Sequence, residues 1–170
     1  MTIATTHSAL AAVPSTDDAA VADVTTLLPP REAVLAHLTE QLSSTDGAPA
    51  TLLIVGLLRR DDGWPTPQST LAQVTMLLAR SLRGDDWLAS SGPAEFVIVM
   101  SGSTTGARAA AERLVAGVAG LGIPGLSAAA GLAPLITGLS AGEALRRATV
   151  SLTVARRVGA CTVVTHRLPY

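Results

Sequence analysis

Two short runs hold most of the side chains in this chain that could do chemistry. Arg83 and Asp86 stand three positions apart, a planar donor fork followed by a carboxylate. At that spacing near a helix end they suit an exposed ion pair, worth at most about 1 kcal/mol. They equally suit the two halves of a polar recognition site. A few residues on, Gly92-Pro93-Ala94-Glu95-Phe96 reads as a turn entering a strand, with Glu95 its single acid. Arg113 adds a further guanidinium downstream. A third run, Gly138-Leu139-Ser140-Ala141-Gly142, matches the G-x-S-x-G nucleophile elbow, and Glu143 and His166 follow in the hydrolase order. Ser140 and Glu143 also spell S-x-x-E, a helix capping box, and the chain is short for a hydrolase sheet, so a cap is the expected role. Gly102 to Arg108 has two glycines and no lysine, which excludes a P-loop and leaves Ser103 or Thr104 as an N-cap. His7, His37 and His166 are scattered, and with one cysteine, Cys161, they form no metal-spaced set. No metal and no cofactor are expected.

The elements that must position these residues follow from apolar spacing and turn signals. Residues 1–22 carry no sustained period and are expected to form a flexible tail ahead of one domain over 23–168. Pro30 opens a helix with Val34, Leu35, Leu38 and Leu42 at helical spacing, closed by Gly47 and Pro49. Residues 51–58 predict a buried strand, and 59–67 a polar loop. A second helix is expected over 68–82, with Leu71, Val74, Leu78 and Leu82 on one face. Short strands at 87–90 and 95–101 flank a turn at Gly92-Pro93. A helix over 104–118, a strand at 127–133, a helix over 140–157 and a strand at 161–165 complete the chain. Helices alternate with strands, but one hairpin interrupts the alternation. That predicts an α/β sandwich with a mixed, mostly antiparallel sheet flanked by helices.

Composition narrows the function classes. The chain has 170 residues, 48% of them apolar but only 2% aromatic, so its core must be built from Ala, Val, Leu and Ile. A net charge of −1 argues against broad electrostatic binding of nucleic acid. All 12 basic residues are arginine. A single cysteine forbids an intramolecular disulfide and suits the cytoplasm. The uncharged run from Leu114 to Gly142 is long enough for a bilayer, but Pro124, Pro134 and seven glycines break it, so no membrane span is expected.

Across about Asp23 to His166 the chain resembles the GGDEF family, bacterial domains that make cyclic di-GMP from GTP. Asp23, Thr26, Leu28, Pro29 and Arg31 match the family's opening D-x-L-T-G-L-P-N-R. Gly92-Pro93-Ala94-Glu95-Phe96 stands where the G-G-[DE]-E-F hairpin belongs. Ala111-Glu112-Arg113-Leu114 is similar to A-E-R-[IL]. Arg147-Ala148 through Ala155-Arg156 follows R-A-D-x-A-L-Y-x-A-K, with Thr149, Thr153 and Arg156 substituted. The resemblance implies a nucleotide-cyclase, palm-like fold. It also implies a degenerate active site. The family's two metal ions take carboxylates from the end of the first strand and from the third hairpin position, and Gly56 and Ala94 stand there. Pro93 replaces a glycine that a nucleotide must approach. No catalytic residue and no cyclase activity are therefore expected.

The resemblance further implies that binding is kept. The family's R-x-x-D motif, a set distance before the hairpin, binds the product as a feedback inhibitor; Arg83 and Asp86 hold that place, and Arg113 holds the place of a further arginine. Arginine can donate to guanine O6 and N7, and a carboxylate can accept from the opposite edge. The expected protein is a catalytically inactive cyclic di-GMP receptor, and the resemblance implies a homodimer bridged by the ligand; the alternative is a pseudoenzyme scaffold that binds a protein partner and no nucleotide.

Overall fold

The computed structural model describes residues 28–44, 48–58 and 66–167. The expected tail over 1–22, the opening motif up to Leu27, and Trp64 lie outside the described residues. The elements run α1 (Arg31–Ser43), β1 (Ala50–Leu58), α2 (Gln68–Ser81), β2 (Trp87–Gly92), β3 (Glu95–Ser101), α3 (Thr104–Gly120), β4 (Ser127–Leu135), α4 (Ala141–Val158) and β5 (Val163–Thr165). The strands form one sheet in the order β2-β3-β1-β4-β5. β1 pairs antiparallel with β3 and β4, β2 antiparallel with β3, and β5 parallel with β4. This is the mixed, mostly antiparallel sheet expected from the interrupted alternation.

Central β1 is an unbroken apolar run apart from Thr51 because both its faces are covered. Leu53, Val55 and Leu57 point to the α2–α3 side, with Val74, Leu78, Leu114 and Val118. Leu52 and Ile54 point to the α1–α4 side, with Val34, Leu38, Ala148 and Leu152. The second core is rich in alanine, and its closest contact is at Gly131 on β4. A Cβ there would run into the backbone of Leu152 and Ala148, so α4 can lie on the sheet only because that position lacks a side chain.

Several sequence expectations shift by a residue or two. The hairpin turn falls at Pro93 and Ala94 rather than at Gly92-Pro93, because Gly92 still pairs with Glu95 beyond a bulge in β2. Leu35 remains 39% exposed, since Val34 and Leu38 alone fill the α1 contact. The last strand starts at Val163, not Cys161, which takes a left-handed turn conformation at φ 57°. The uncharged run from Leu114 to Gly142 resolves into the end of α3, a buried strand and the start of α4. Among the described residues no helix is long and apolar enough to cross a membrane.

Replacing Gly131 by alanine should destabilise the fold by about 1–3 kcal/mol or more, the usual cost of overpacking a rigid core. The denaturant midpoint checks this; an unchanged midpoint would mean that α4 does not need the close approach.

Candidate functional site

Arg83, Asp86 and Arg113 come together in one groove of about 620 Å³. Its walls are the end of α2 with residues 81–86, the end of β3 at Met100 and Ser101, and the first half of α3. α2 stops at Ser81 because Leu82 turns to extended backbone. The next residues then close on themselves: the Asp86 amide donates to the Arg83 carbonyl at 3.2 Å, and the Arg83 amide donates to Asp86 Oδ2 at 2.9 Å. The i, i+3 relation is thus a backbone-anchored turn. It orients the carboxylate through one oxygen without using the guanidinium. Among the described residues, no ion pair involves Arg83 or Arg113.

α3 supplies the other wall. Its buried face carries Ala107, Ala110, Ala111 and Leu114 into the core. Gly106, Ala109 and Arg113 come up beside that face along the groove, at helical spacing. Glu112 pairs with Arg108 at 3.0 Å, which leaves Arg113 to the groove. The small side chains make a flat wall, and two guanidiniums against one carboxylate favour an anion with planar polar edges.

The opposite end of β3 is closed. Gly56 on β1 stands directly across from Glu95 on β3. The guanidinium of Arg156, from α4, lies against Gly56, in the space that any side chain there would need. Arg156 Nη1 donates to Glu95 Oε1 at 2.7 Å, and Ser91 Oγ donates to Glu95 Oε2 at 3.3 Å. Both carboxylate oxygens therefore already carry a donor. Ala94 packs its methyl against the α2–α3 core, and its carbonyl accepts from the Leu57 amide at 2.9 Å. Among the described residues no group of three or more His, Cys, Asp or Glu could hold a metal ion. Sequence reasoning noted Gly56 and the substitution at Arg156 separately.

The remaining candidates have structural roles. Ser140 caps α4 by accepting from the Glu143 amide at 3.2 Å. The capping box is only half formed, because Glu143 turns its carboxylate to Arg146 and Arg147 instead of back to Ser140. Hydrogen bonds from Arg146, then Arg147, hold the Glu143 carboxyl down at about 2. Ser103 caps α3 in the same way, accepting from the Gly106 amide.

No protein-family model and no curated protein matches the chain. Its fold is nevertheless that of solved GGDEF domains. The GGDEF domain of DgcB from Caulobacter crescentus, solved in complex with c-di-GMP, aligns with a TM-score of 0.73 at 18% identity, over 86% of this chain and 96% of that one. The active GGEEF domain of a diguanylate cyclase from Vibrio cholerae aligns with a TM-score of 0.72 at 18% identity, over 84% and 99%. The FimX GGDEF domain from Pseudomonas aeruginosa aligns with a TM-score of 0.71 at 24% identity, over 83% and 96%. At these identities the likeness is one of fold.

The contact between Gly56 and Arg156 is open to a double-mutant cycle. Gly56→Ala must shift the guanidinium, and its cost to stability is set by how far that loosens the bond to Glu95. In an Arg156→Ala background it should cost less, leaving a coupling of at least about 0.5 kcal/mol. Additive unfolding free energies would mean that the two residues do not share that space.

Proposed function

We propose that this chain is a cyclic di-GMP receptor on a GGDEF-type fold that has given up cyclase activity. The observation that carries the reading is the groove, where Arg83, Asp86 and Arg113 converge with neither guanidinium committed to an ion pair among the described residues. Its volume lies within the roughly 300–1,000 Å³ of small-molecule sites. Cyclic di-GMP offers what such a groove can use. Guanine O6 and N7 accept from an arginine fork, N1–H and the 2-amino group donate to a carboxylate, and the phosphates attract a second arginine. The DgcB domain, solved with c-di-GMP, lends support from the same fold.

Loss of catalysis is read from the other end of β3. Metal-assisted phosphoryl transfer needs oxygen ligands for Mg²⁺. Gly56 and Ala94 offer no such side chain, and Glu95 is taken up by Arg156 and Ser91. The arginine brings fixed positive charge to the acid that would otherwise face a cation. We place the receptor in the cytoplasm, where a chain with one free cysteine, Cys161, stays reduced.

One observation favours a second reading. Val150, Val154 and Val158 recur at helical spacing along α4 and are 44%, 43% and 71% exposed. Such an apolar ridge suits a scaffold that binds a protein and no nucleotide. Partner capture that is independent of cyclic di-GMP, together with no binding heat for the nucleotide, would favour that reading.

Calorimetric titration of cyclic di-GMP should give saturable heat with the wild type. Arg83→Ala should lose about 1–3 kcal/mol of binding free energy, the worth of one bidentate guanine contact. Arg83→Lys should also weaken binding, because lysine lacks the fork. GTP with Mg²⁺ should give no heat of turnover. Equal affinity in wild type and Arg83→Ala would remove the groove from the account, and sustained turnover heat would restore the enzyme.

A further inference from the structure

The rim of the groove runs directly into a contact that the receptor reading does not use. Trp87 follows Asp86 and opens β2, and its ring stacks on His37 of α1 with centroids 4.3 Å apart and planes 19° from parallel. Further along the same strand, the Ser90 amide donates to the Pro29 carbonyl at 3.0 Å, just ahead of α1. Among the described residues, β2 is an edge strand whose sole strand partner in the sheet is β3. α1 and the residues leading into it thus hold β2 twice, once by a side-chain stack and once by a backbone bond.

We propose that occupancy of the groove is transmitted to α1 through Trp87 and His37, so that α1 is the element where ligand binding is read out. This rests on the cyclic di-GMP reading of the groove. The physical link is short. A ligand that engages the Arg83 guanidinium and the free side of the Asp86 carboxylate fixes the turn from Arg83 to Asp86, which is closed by its own two hydrogen bonds. Trp87 is joined to Asp86 by one planar peptide, so the set of that turn directs the indole. A coupling needs two states: the structure holds the indole stacked on His37, and the proposal assigns the second to the indole released from it. Linkage is reciprocal: if the ligand favours the stacked state, loss of the stack must weaken the ligand. α1 is also the first described helix.

The test uses the full chain carrying Trp64→Phe, which leaves Trp87 as the only indole. Cyclic di-GMP is titrated with tryptophan emission and calorimetry followed on the same sample. The emission of Trp87 should shift and saturate together with the heat. Adding His37→Ala should abolish the shift and raise Kd by at least about 5-fold, the lower end of usual coupling strengths. His37→Phe keeps a flat ring over the indole and should preserve both the shift and the affinity. Heat with no change in emission, or unchanged affinity in His37→Ala, overturns the coupling and leaves the receptor reading intact. Absence of heat overturns both.

Discussion

The close seat of α4 on the sheet is the constraint from which the rest of this structure follows. The contact is made by the smallest residues available. Ala129, Gly131 and Ala133 of β4 meet Ala144, Ala148 and Ala155 of α4. A chain with almost no aromatic residues cannot fill a wide gap between layers, so it closes the gap. With α4 drawn in, the Arg156 side chain lies over Gly56 and its charge meets Glu95. A larger residue at Gly56 and an unpaired Glu95 would each conflict with this packing. The glycine, the arginine and the acid therefore form one packed arrangement.

β3 carries the consequences at its two ends. Glu95 and Ser101 begin and end the strand, about 20 Å apart at the usual strand rise. At the first end an internal ion pair neutralises the acid. At the second, the turn from Arg83 to Asp86 and the wall of α3 leave two guanidiniums facing a groove. Glu95 and Arg156 are each partly withdrawn from water, so pairing offsets part of their lost hydration. The groove arginines stay hydrated and avoid that cost. Among the described residues, the fold thus leaves uncommitted positive charge at the groove.

Much of the architecture was legible in the chain. β1 announced itself as a short apolar run over 51–58, and α2 through Leu71, Val74 and Leu78, because burial on two faces and on one face leave different periods. The likeness to GGDEF domains at the fold level was legible in the order of weak motifs. Other features were not, and each for a physical reason. The Arg156–Glu95 bond joins residues 61 positions apart, and no local pattern reports such a pair. The spacing of Arg83 and Asp86 suited either a side-chain ion pair or a recognition site; the structure joins the Asp86 carboxylate to the Arg83 amide and not to its guanidinium, because a turn satisfies backbone groups first. Glu143 was drawn from its capping role by two arginines on the next turn of α4. Local signals thus placed the elements, while the partner each polar residue takes was set by packing, far along the chain at Glu95 and within one turn at Asp86 and Glu143.

The central claim is that one end of β3 binds and the other is sealed. Amide chemical-shift mapping during titration with cyclic di-GMP reads both ends at once. The account predicts shifts at residues 82–86, at Ser101 to Ser103 and along the start of α3 to Arg113, with Gly56, Glu95 and Arg156 unmoved. Shifts centred on Gly56, Ala94 and Glu95, with the groove silent, would contradict it.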